Sequence, residues 1–146
     1  NAAIADNVTL ETLNVESIRQ QFEVNSLGPL LLIKTMIGNL KKGSKVILMS
    51  SRMGSIEDNI SGGSYGYRMS KAALCMAGKS LSIDLKVKGI AVALLHPGLV
   101  KTRMTAFNPN AITPSESVKG LLQRIDNLTI QNTGTFLHAN GEILPW

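Results

Sequence analysis

The sequence has little of what several classes of protein need. Its 146 residues include one cysteine, Cys75, which excludes an intramolecular disulfide framework and a cysteine-rich zinc site. Aromatic residues make up 4%, too few for a surface that stacks nucleic-acid bases. No apolar run approaches the roughly 20 residues that a membrane-spanning helix needs. We therefore expect neither a membrane protein nor a disulfide-rich one, and we interpret Cys75, in an apolar stretch, as a packed thiol.

Charge is also sparse, and it is not clustered. Charged residues make up 17% and hydrophobic residues 44%, a balance typical of a folded domain rather than of a disordered chain. The net charge of +5 is spread along the chain, which favours a solvated basic surface and no nucleic-acid partner. The two histidines, His96 and His138, have no carboxylates at metal-ligand spacing, so we predict no metal ion.

The chain starts at Asn1 rather than at a methionine, and no charged segment followed by an apolar one precedes the predicted fold. We expect a cytoplasmic protein, and we interpret the 146 residues as part of a longer chain.

Hydrophobic periodicity predicts helices that alternate with strands. Apolar residues recur at helical spacing over 15–40, 65–88 and 114–128. Short apolar runs predict strands over 45–50, 90–95 and 134–138, and the first two are typical of strands buried on both faces of a parallel sheet. Pro29 should kink the first helix or mark a junction between two helices. The alternation predicts an α/β fold in which helices cover a parallel sheet.

One pair of residues, a tyrosine and a lysine, has the spacing of an acid–base pair. Both tyrosines lie at the start of the second predicted helix, and only Tyr67 has a lysine, Lys71, four residues later on the same helix face. A phenol has a pKa of about 10, and a nearby ammonium commonly lowers it by about one to three units. The pair thus predicts a general acid/base for carbonyl and alcohol interconversion. A surface tyrosine with an incidental lysine neighbour would show the same spacing.

The surroundings of this pair favour a site. Ser51 follows the first predicted strand, and the segment from Pro97 to Thr102 follows the second, at the strand ends where open α/β sheets bind ligands. The Ser51 hydroxyl could hold a substrate carbonyl, and Thr102 could meet a flat polar ligand. Asn25, near the irregularity at Pro29, could anchor a water through its side chain or its backbone.

Five motifs, taken in their order along the chain, resemble those of the short-chain dehydrogenases/reductases. They are Asn1-Ala2-Ala3, Asn25, Ser51, Tyr67 with Lys71, and Pro97-Gly98 through Thr102. A closer similarity, to carbonyl reductases of the sniffer and C-factor type, rests on the segments 49–56, 67–74 and 134–146.

The resemblance implies a role for each residue. Tyr67 would be the general acid/base, Lys71 would lower its pKa, Ser51 would orient the substrate oxygen and Asn25 would hold a proton-relaying water. The cofactor, NADP or NAD, would meet Asn1, Ala2, Tyr67, Lys71, Pro97, Gly98, Val100 and Thr102. The substrate would be a small carbonyl compound or alcohol, and the protein would be a homo-oligomer that associates through the helices 15–40 and 65–88.

One family motif does not occur in these residues: the Gly-rich turn that receives the cofactor pyrophosphate. The resemblance thus implies that residues 1–146 are a single partial domain, the C-terminal part of a Rossmann-type doubly wound parallel sheet with flanking helices. The lost turn favours an alternative, a non-catalytic truncated interaction or signalling module that retains the second half of the fold. The set of Asn25, Ser51, Tyr67 and Lys71 favours the oxidoreductase.

Overall fold

The computed structural model describes residues 3–146; Asn1 and Ala2, predicted to meet the cofactor, lie outside the described residues. Three parallel strands form one sheet in the order β1-β2-β3. They are β1 (Lys45–Met49), β2 (Ala91–His96) and β3 (Thr135–His138), each within one residue of its predicted bounds. The predicted parallel sheet is therefore confirmed.

Four α-helices accompany the sheet: α1 (Val15–Phe22), α2 (Gly28–Met36), α3 (Tyr65–Asp84) and α4 (Pro114–Asp126). The Asn14 side chain caps α1 by accepting a hydrogen bond from the Ser17 N–H at 3.0 Å. Helix α3 ends earlier than predicted, because the chain tightens into a 3-10 turn at Lys86–Lys88 and then leaves the helix at Gly89, whose φ is +68°. None of the helices formed by residues 3–146 has the length and apolarity to cross a bilayer.

The segment 15–40 is not one kinked helix but two helices, the second of the two alternatives predicted at Pro29. A π-helical turn, Glu23–Leu27, separates α1 from α2, and a 3-10 turn, Ile37–Asn39, follows α2. Pro29 lies in the first turn of α2, where its missing N–H is tolerated. The junction that the proline predicted is present, but it lies in the residues before it.

The helices cover both faces of the sheet. On one face, Ile33 of α2 and Leu74 of α3 pack in a cluster with Leu48, Leu94 and other buried apolar residues. Cys75 is buried in the same cluster, which confirms the prediction of a packed thiol. On the other face, Leu121 and Ile125 of α4 pack against alanines and Leu95 of β2. The molecule thus has three layers, with α4 alone on one side.

Strand β1 is less buried than predicted. Every residue of β2 from Ala91 to Leu95 is buried, but in β1 only Val46 and Leu48 are buried, and Ile47 and Met49 are partly covered. The reason is position: among residues 3–146, β1 pairs with β2 alone, so its other edge has no neighbouring strand. A cavity of about 290 Å³ follows this edge and reaches Asn25 and Lys71, and we call it the edge cavity.

Candidate active site

The predicted site residues meet where β1 and β2 end. Ser51 follows β1, Pro97 follows β2, and the first turns of α3 bring Tyr67 and Lys71 to the same edge. The turn Arg52–Gly54 packs directly on α3, because a Cβ at Gly54 would lie 2.8 Å from the backbone carbonyl carbon of Lys71. Only glycine permits this approach, so the loop that carries Ser51 and helix α3 form one unit.

Two cavities meet at Tyr67. The first, which we call the inner cavity, has a volume of about 270 Å³ and is lined by residues that include Tyr67, Lys71, Pro97, Gly98, Val100 and Thr102. The second, which we call the outer cavity, has a volume of about 430 Å³ and is lined by residues that include Ser51, Arg52, Tyr67, Arg68 and His96. Ala3, the third residue of the Asn1-Ala2-Ala3 motif, also lines the inner cavity. The structure thus places Tyr67 between two spaces that could hold two different molecules.

The pKa of Tyr67 shifts in the direction opposite to the prediction. Burial raises the pKa of the phenol above its ordinary value of 10.0, and a hydrogen bond with Ser51 opposes the shift only in part. Lys71 Nζ lies 5.7 Å from the centroid of the tyrosine ring. Desolvation of the phenolate is the larger of these two causes, and Tyr67 is a protonated phenol at neutral pH.

Lys71 is itself buried. Its Nζ donates a hydrogen bond to the carbonyl oxygen of Met49, the last residue of β1, at 2.9 Å. Burial lowers the pKa of Lys71, with Cys75 acting in the opposite sense. The side chain lines both the inner cavity and the edge cavity, so its amine separates the two.

Both side-chain N–H donors of Asn25 are engaged within the protein, and its Oδ1 accepts one hydrogen bond. Its Oδ1 accepts from the Ile4 N–H at 3.0 Å, and its Nδ2 donates to the Ile4 carbonyl at 2.8 Å and to Ser70 Oγ at 3.0 Å. These bonds tie the N-terminal segment to α3. The backbone carbonyl of Asn25 lies in the π-helical turn, and the residue four positions on, Pro29, has no N–H to offer it.

The loop after β2 is held by residues that the sequence analysis missed. Thr105 Oγ1 donates to the carbonyl of Val100 at 2.6 Å and accepts from the N–H of Thr102 at 3.1 Å. Ser117 Oγ of α4 donates to the carbonyl of Pro97 at 2.7 Å. The spacing of Thr102 and Thr105 is the one signal that could have revealed a local turn. Nothing in the sequence indicated Ser117, because its partner lies twenty residues away.

A histidine pair lies beside the outer cavity. The rings of His96 and His138 meet edge to face with centroids 4.8 Å apart. Burial lowers the pKa of His96 to about 4, and the charges of His138 and Arg52 add to the shift. Across residues 3–146 the structure gathers no three side chains suited to ligate a metal ion.

The inner cavity fits one end of a nicotinamide cofactor. The ammonium of Lys71 and the hydroxyl of Thr102 are donors suited to ribose and carboxamide oxygens, and the Val100 carbonyl is already engaged by Thr105. Gly98, at φ +86°, lets the loop turn close to the strand ends. The described residues offer no glycine-rich turn for a pyrophosphate, so the fit covers the nicotinamide end alone.

Comparison with known proteins identifies relatives. The family profile described as "short chain dehydrogenase" matches residues 1–112. A 1-hydroxy-2-glutathionyl-2-methyl-3-butene dehydrogenase from Rhodococcus sp. (strain AD45) is 45% identical over 138 residues, which cover 92% of this chain and 61% of that protein. The C-signal of Myxococcus xanthus is 41% identical over 140 residues, which cover 94% of this chain and 83% of that protein.

Solved structures of carbonyl reductases are also similar to this chain. The NADPH-bound carbonyl reductase from chicken fatty liver superposes with a TM-score of 0.91 at 31% identity, and the carbonyl reductase Sniffer of D. melanogaster with 0.92 at 32%. Each match covers 100% of this chain and 64% of the other. The predicted resemblance to sniffer-type reductases is confirmed, and the fold is the corresponding part of their Rossmann-type sheet. The chain spans less than two thirds of the length of these two reductases.

Proposed function

This chain belongs to the short-chain dehydrogenase family, and from that premise we propose that it is the C-terminal catalytic part of an NAD(P)-dependent oxidoreductase that reduces a small carbonyl compound. Residues 1–146 would form a single partial domain, completed in the full-length reductase by the part that binds the rest of the cofactor. The observation that carries the proposal is the position of Tyr67 between the inner and the outer cavity.

The inner cavity would hold the nicotinamide end of the cofactor. Lys71 would bind the ribose hydroxyls, and Thr102 with the Val100 backbone would bind the carboxamide, in a loop that Pro97 and Gly98 shape. The reduced cofactor, when bound, supplies a hydride to the substrate carbon. We propose NADP ahead of NAD, since the chicken carbonyl reductase is described as NADPH-bound.

The outer cavity would hold the substrate, with its carbonyl oxygen at Ser51 and Tyr67. A raised pKa keeps the Tyr67 phenol protonated at neutral pH, which is the form that reduction requires. The phenol would protonate the carbonyl oxygen, and the Ser51 hydroxyl would hold that oxygen in place. The same residues would serve the reverse reaction, oxidation of the alcohol, which agrees with the name of the Rhodococcus relative, a dehydrogenase of a hydroxy compound.

The proton would be restored from the side of β1. Lys71 faces both the inner cavity and the edge cavity, and Asn25 and Pro29 line the latter. A water held by the Asn25 carbonyl would pass a proton to Lys71 and so to the cofactor ribose and Tyr67. The Asn25 side chain would hold the turn in place through its bonds to Ile4 and Ser70.

Substitution of Tyr67 by phenylalanine tests the proposal in the full-length reductase. The change removes the proton donor and keeps the ring, so kcat for an aldehyde substrate should fall about 10³-fold. Tyr65→Phe is the matched control, because Tyr65 lies on the same helix, is 40% exposed and lines neither the inner nor the outer cavity. Turnover by Tyr67→Phe equal to that of the parent enzyme would remove Tyr67 from the mechanism.

A second candidate is a non-catalytic signalling module. The observation that favours it is the match to the C-signal of Myxococcus xanthus, of which this chain covers 83%. Titration of this chain with NADPH and NADH, followed by nicotinamide fluorescence, separates the two candidates. Saturable binding that Lys71→Met weakens supports the oxidoreductase, and no binding supports the module or an incomplete oxidoreductase.

We also propose a cytoplasmic homo-oligomer that associates through the helical segments 15–40 and 65–88. The outer side of α3 exposes Met69, Met76 and Ile83 at intervals of seven residues, by 50%, 68% and 63%. Small residues such as Ala72 and Ala73, partly exposed on the same helix, would allow close packing. Gel filtration of the full-length reductase should give the mass of a dimer or tetramer, and a monomer would contradict the proposal.

A further inference from the structure

The outer cavity is lined by two guanidinium groups with different surroundings. Arg52 is paired with two carboxylates, since its Nη1 lies 3.0 Å from Asp58 Oδ2 and its Nη2 pairs with Glu142. Arg68 is half-buried and has no carboxylate within 4.0 Å among residues 3–146. Arg68 is therefore the uncompensated cation of the outer cavity.

The Arg68 side chain is held in place by neutral groups. Its Nε donates to the carbonyl of Gly62 at 3.3 Å, and its Nη2 donates to Ser61 Oγ at 2.9 Å. A guanidinium carries five N–H donors, so these bonds orient the group and leave donors over. Neutral acceptors do not cancel the charge, and a fixed guanidinium loses little entropy when it binds an anion.

In the sequence, Arg68 is the direct neighbour of Tyr67. It follows Tyr67 in the first turn of α3, and both residues line the outer cavity with Ser51. The positive end of the α3 dipole adds to the field there. A substrate whose carbonyl oxygen is at Tyr67 therefore extends towards Arg68, which no carboxylate of the described residues pairs.

We propose that Arg68 binds an anionic group of the substrate, so that the site selects aldehydes or ketones that carry a carboxylate. A carboxylate presents two coplanar oxygens, which match the guanidinium fork. This inference rests on the proposed carbonyl reduction and adds the substrate class.

The test compares two substrates that differ in one charge, 4-carboxybenzaldehyde and its methyl ester, methyl 4-formylbenzoate. The full-length enzyme should have a KM for the carboxylate about tenfold below that for the ester. Arg68→Gln keeps a donor for the loop but removes the charge, and it should abolish this preference by raising the KM for the carboxylate to that for the ester. Arg68→Lys should restore part of the preference. Arg19→Gln is the control, because Arg19 is exposed on α1, pairs with Glu16 and lies outside the cavity.

A binding measurement keeps the result independent of turnover. Calorimetric titration with the product-like 4-(hydroxymethyl)benzoate should show a Kd about tenfold higher for Arg68→Gln than for the parent and Arg19→Gln. If the parent turns over neither aldehyde but shows this difference, the proposed function fails and the anion site stands. Equal loss of activity with both substrates, or an unchanged preference in Arg68→Gln, would assign Arg68 to anchoring the Ser61–Gly62 loop and overturn the proposal.

Discussion

The inner and outer cavities share Tyr67 but are built in different ways. The inner cavity is shaped by hydrogen bonds to backbone carbonyls, from Lys71 to Met49, Thr105 to Val100 and Ser117 to Pro97. The outer cavity is lined by ionisable side chains. Arg52 is paired with two acids, Arg68 has no acidic partner in the described part of the chain, and the pKa of His96 is lowered. A site fixed by its backbone suits a ligand that never changes, such as a cofactor. Charged side chains suit a substrate site, which must distinguish one compound from similar ones.

After Tyr67→Phe, the largest expected effect is that of Lys71→Met, which would break the inner cavity. Methionine fills the space of the lysine stem but loses the hydrogen bond to Met49 and the amine shared by two cavities. The kcat of the full-length reductase should fall about 100-fold, and its Kd for NADPH should rise.

Lys79→Met is the matched control for that experiment. Lys79 lies on the same helix, with its Nζ 5.5 Å from the Trp146 ring and outside the inner cavity. Parent-like kinetics for Lys71→Met would show that the amine has no part in turnover, and the contrast between the two cavities would lose its basis.

The next largest effect should be a loss of stability at low pH, to which His96 contributes. The unfolded chain binds a proton at the ordinary histidine pKa of 6.5, but the folded protein does not until the pH approaches the depressed pKa of about 4. The unfolded state thus binds more protons over this interval, so the stability contributed by neutral His96 is lost as the pH falls. The free energy of unfolding should drop by about 2 kcal/mol between pH 7.5 and pH 4.5.

Urea denaturation of the parent and of His96→Gln at both pH values measures this contribution. The groups that face His96 are His138, Arg52 and Glu142, and the pKa of His138 is lowered too, so part of the pH dependence should persist in the variant. If the parent and the variant lose the same stability on acidification, His96 is not held neutral by its surroundings.

The smallest effect should come from Thr105→Val. This variant tests whether the two cavities can be separated, because Thr105 lines both of them. Its hydroxyl bonds only to the backbone of Val100 and Thr102, which belong to the inner cavity. The KM for NADPH should rise about fivefold, with the KM for the aldehyde nearly unchanged.

Thr35→Val provides the control, since the Thr35 hydroxyl makes a similar bond to the Leu32 carbonyl on an exposed helix face. An equal rise in both Michaelis constants for Thr105→Val would mean that the two cavities are not separable.

Most of the fold was predictable because periodicity and local chemistry act over short distances. The strand bounds came from apolar runs, and the start of α4 at Pro114 came from the helical spacing of apolar residues over 114–128. The π-helical turn at Glu23–Leu27 was not predictable. It depends on Asn25 and Ser26 bonding to α3, at Ser70, 45 and 44 residues away, and a local pattern does not encode such contacts.

The site was predictable in its residues and not in its electrostatics. Ser51, Tyr67, Lys71 and the Pro97–Thr102 loop do converge, because parallel strands end at the same edge of the sheet. The sign of the Tyr67 pKa shift was wrong, because the sequence shows the neighbouring ammonium but not the burial of the phenol. The free charge of Arg68 was hidden for the same reason, since Arg52 and Arg68 differ only in what surrounds them.

By itself, the sequence determined which elements form and which edge of the sheet carries the polar groups, since these follow from side-chain order along the chain. Tertiary structure alone decided which cations keep an uncompensated charge and whether the phenol keeps its proton. Desolvation and ion pairing depend on distances between residues far apart in the sequence, and those distances exist only in the folded molecule.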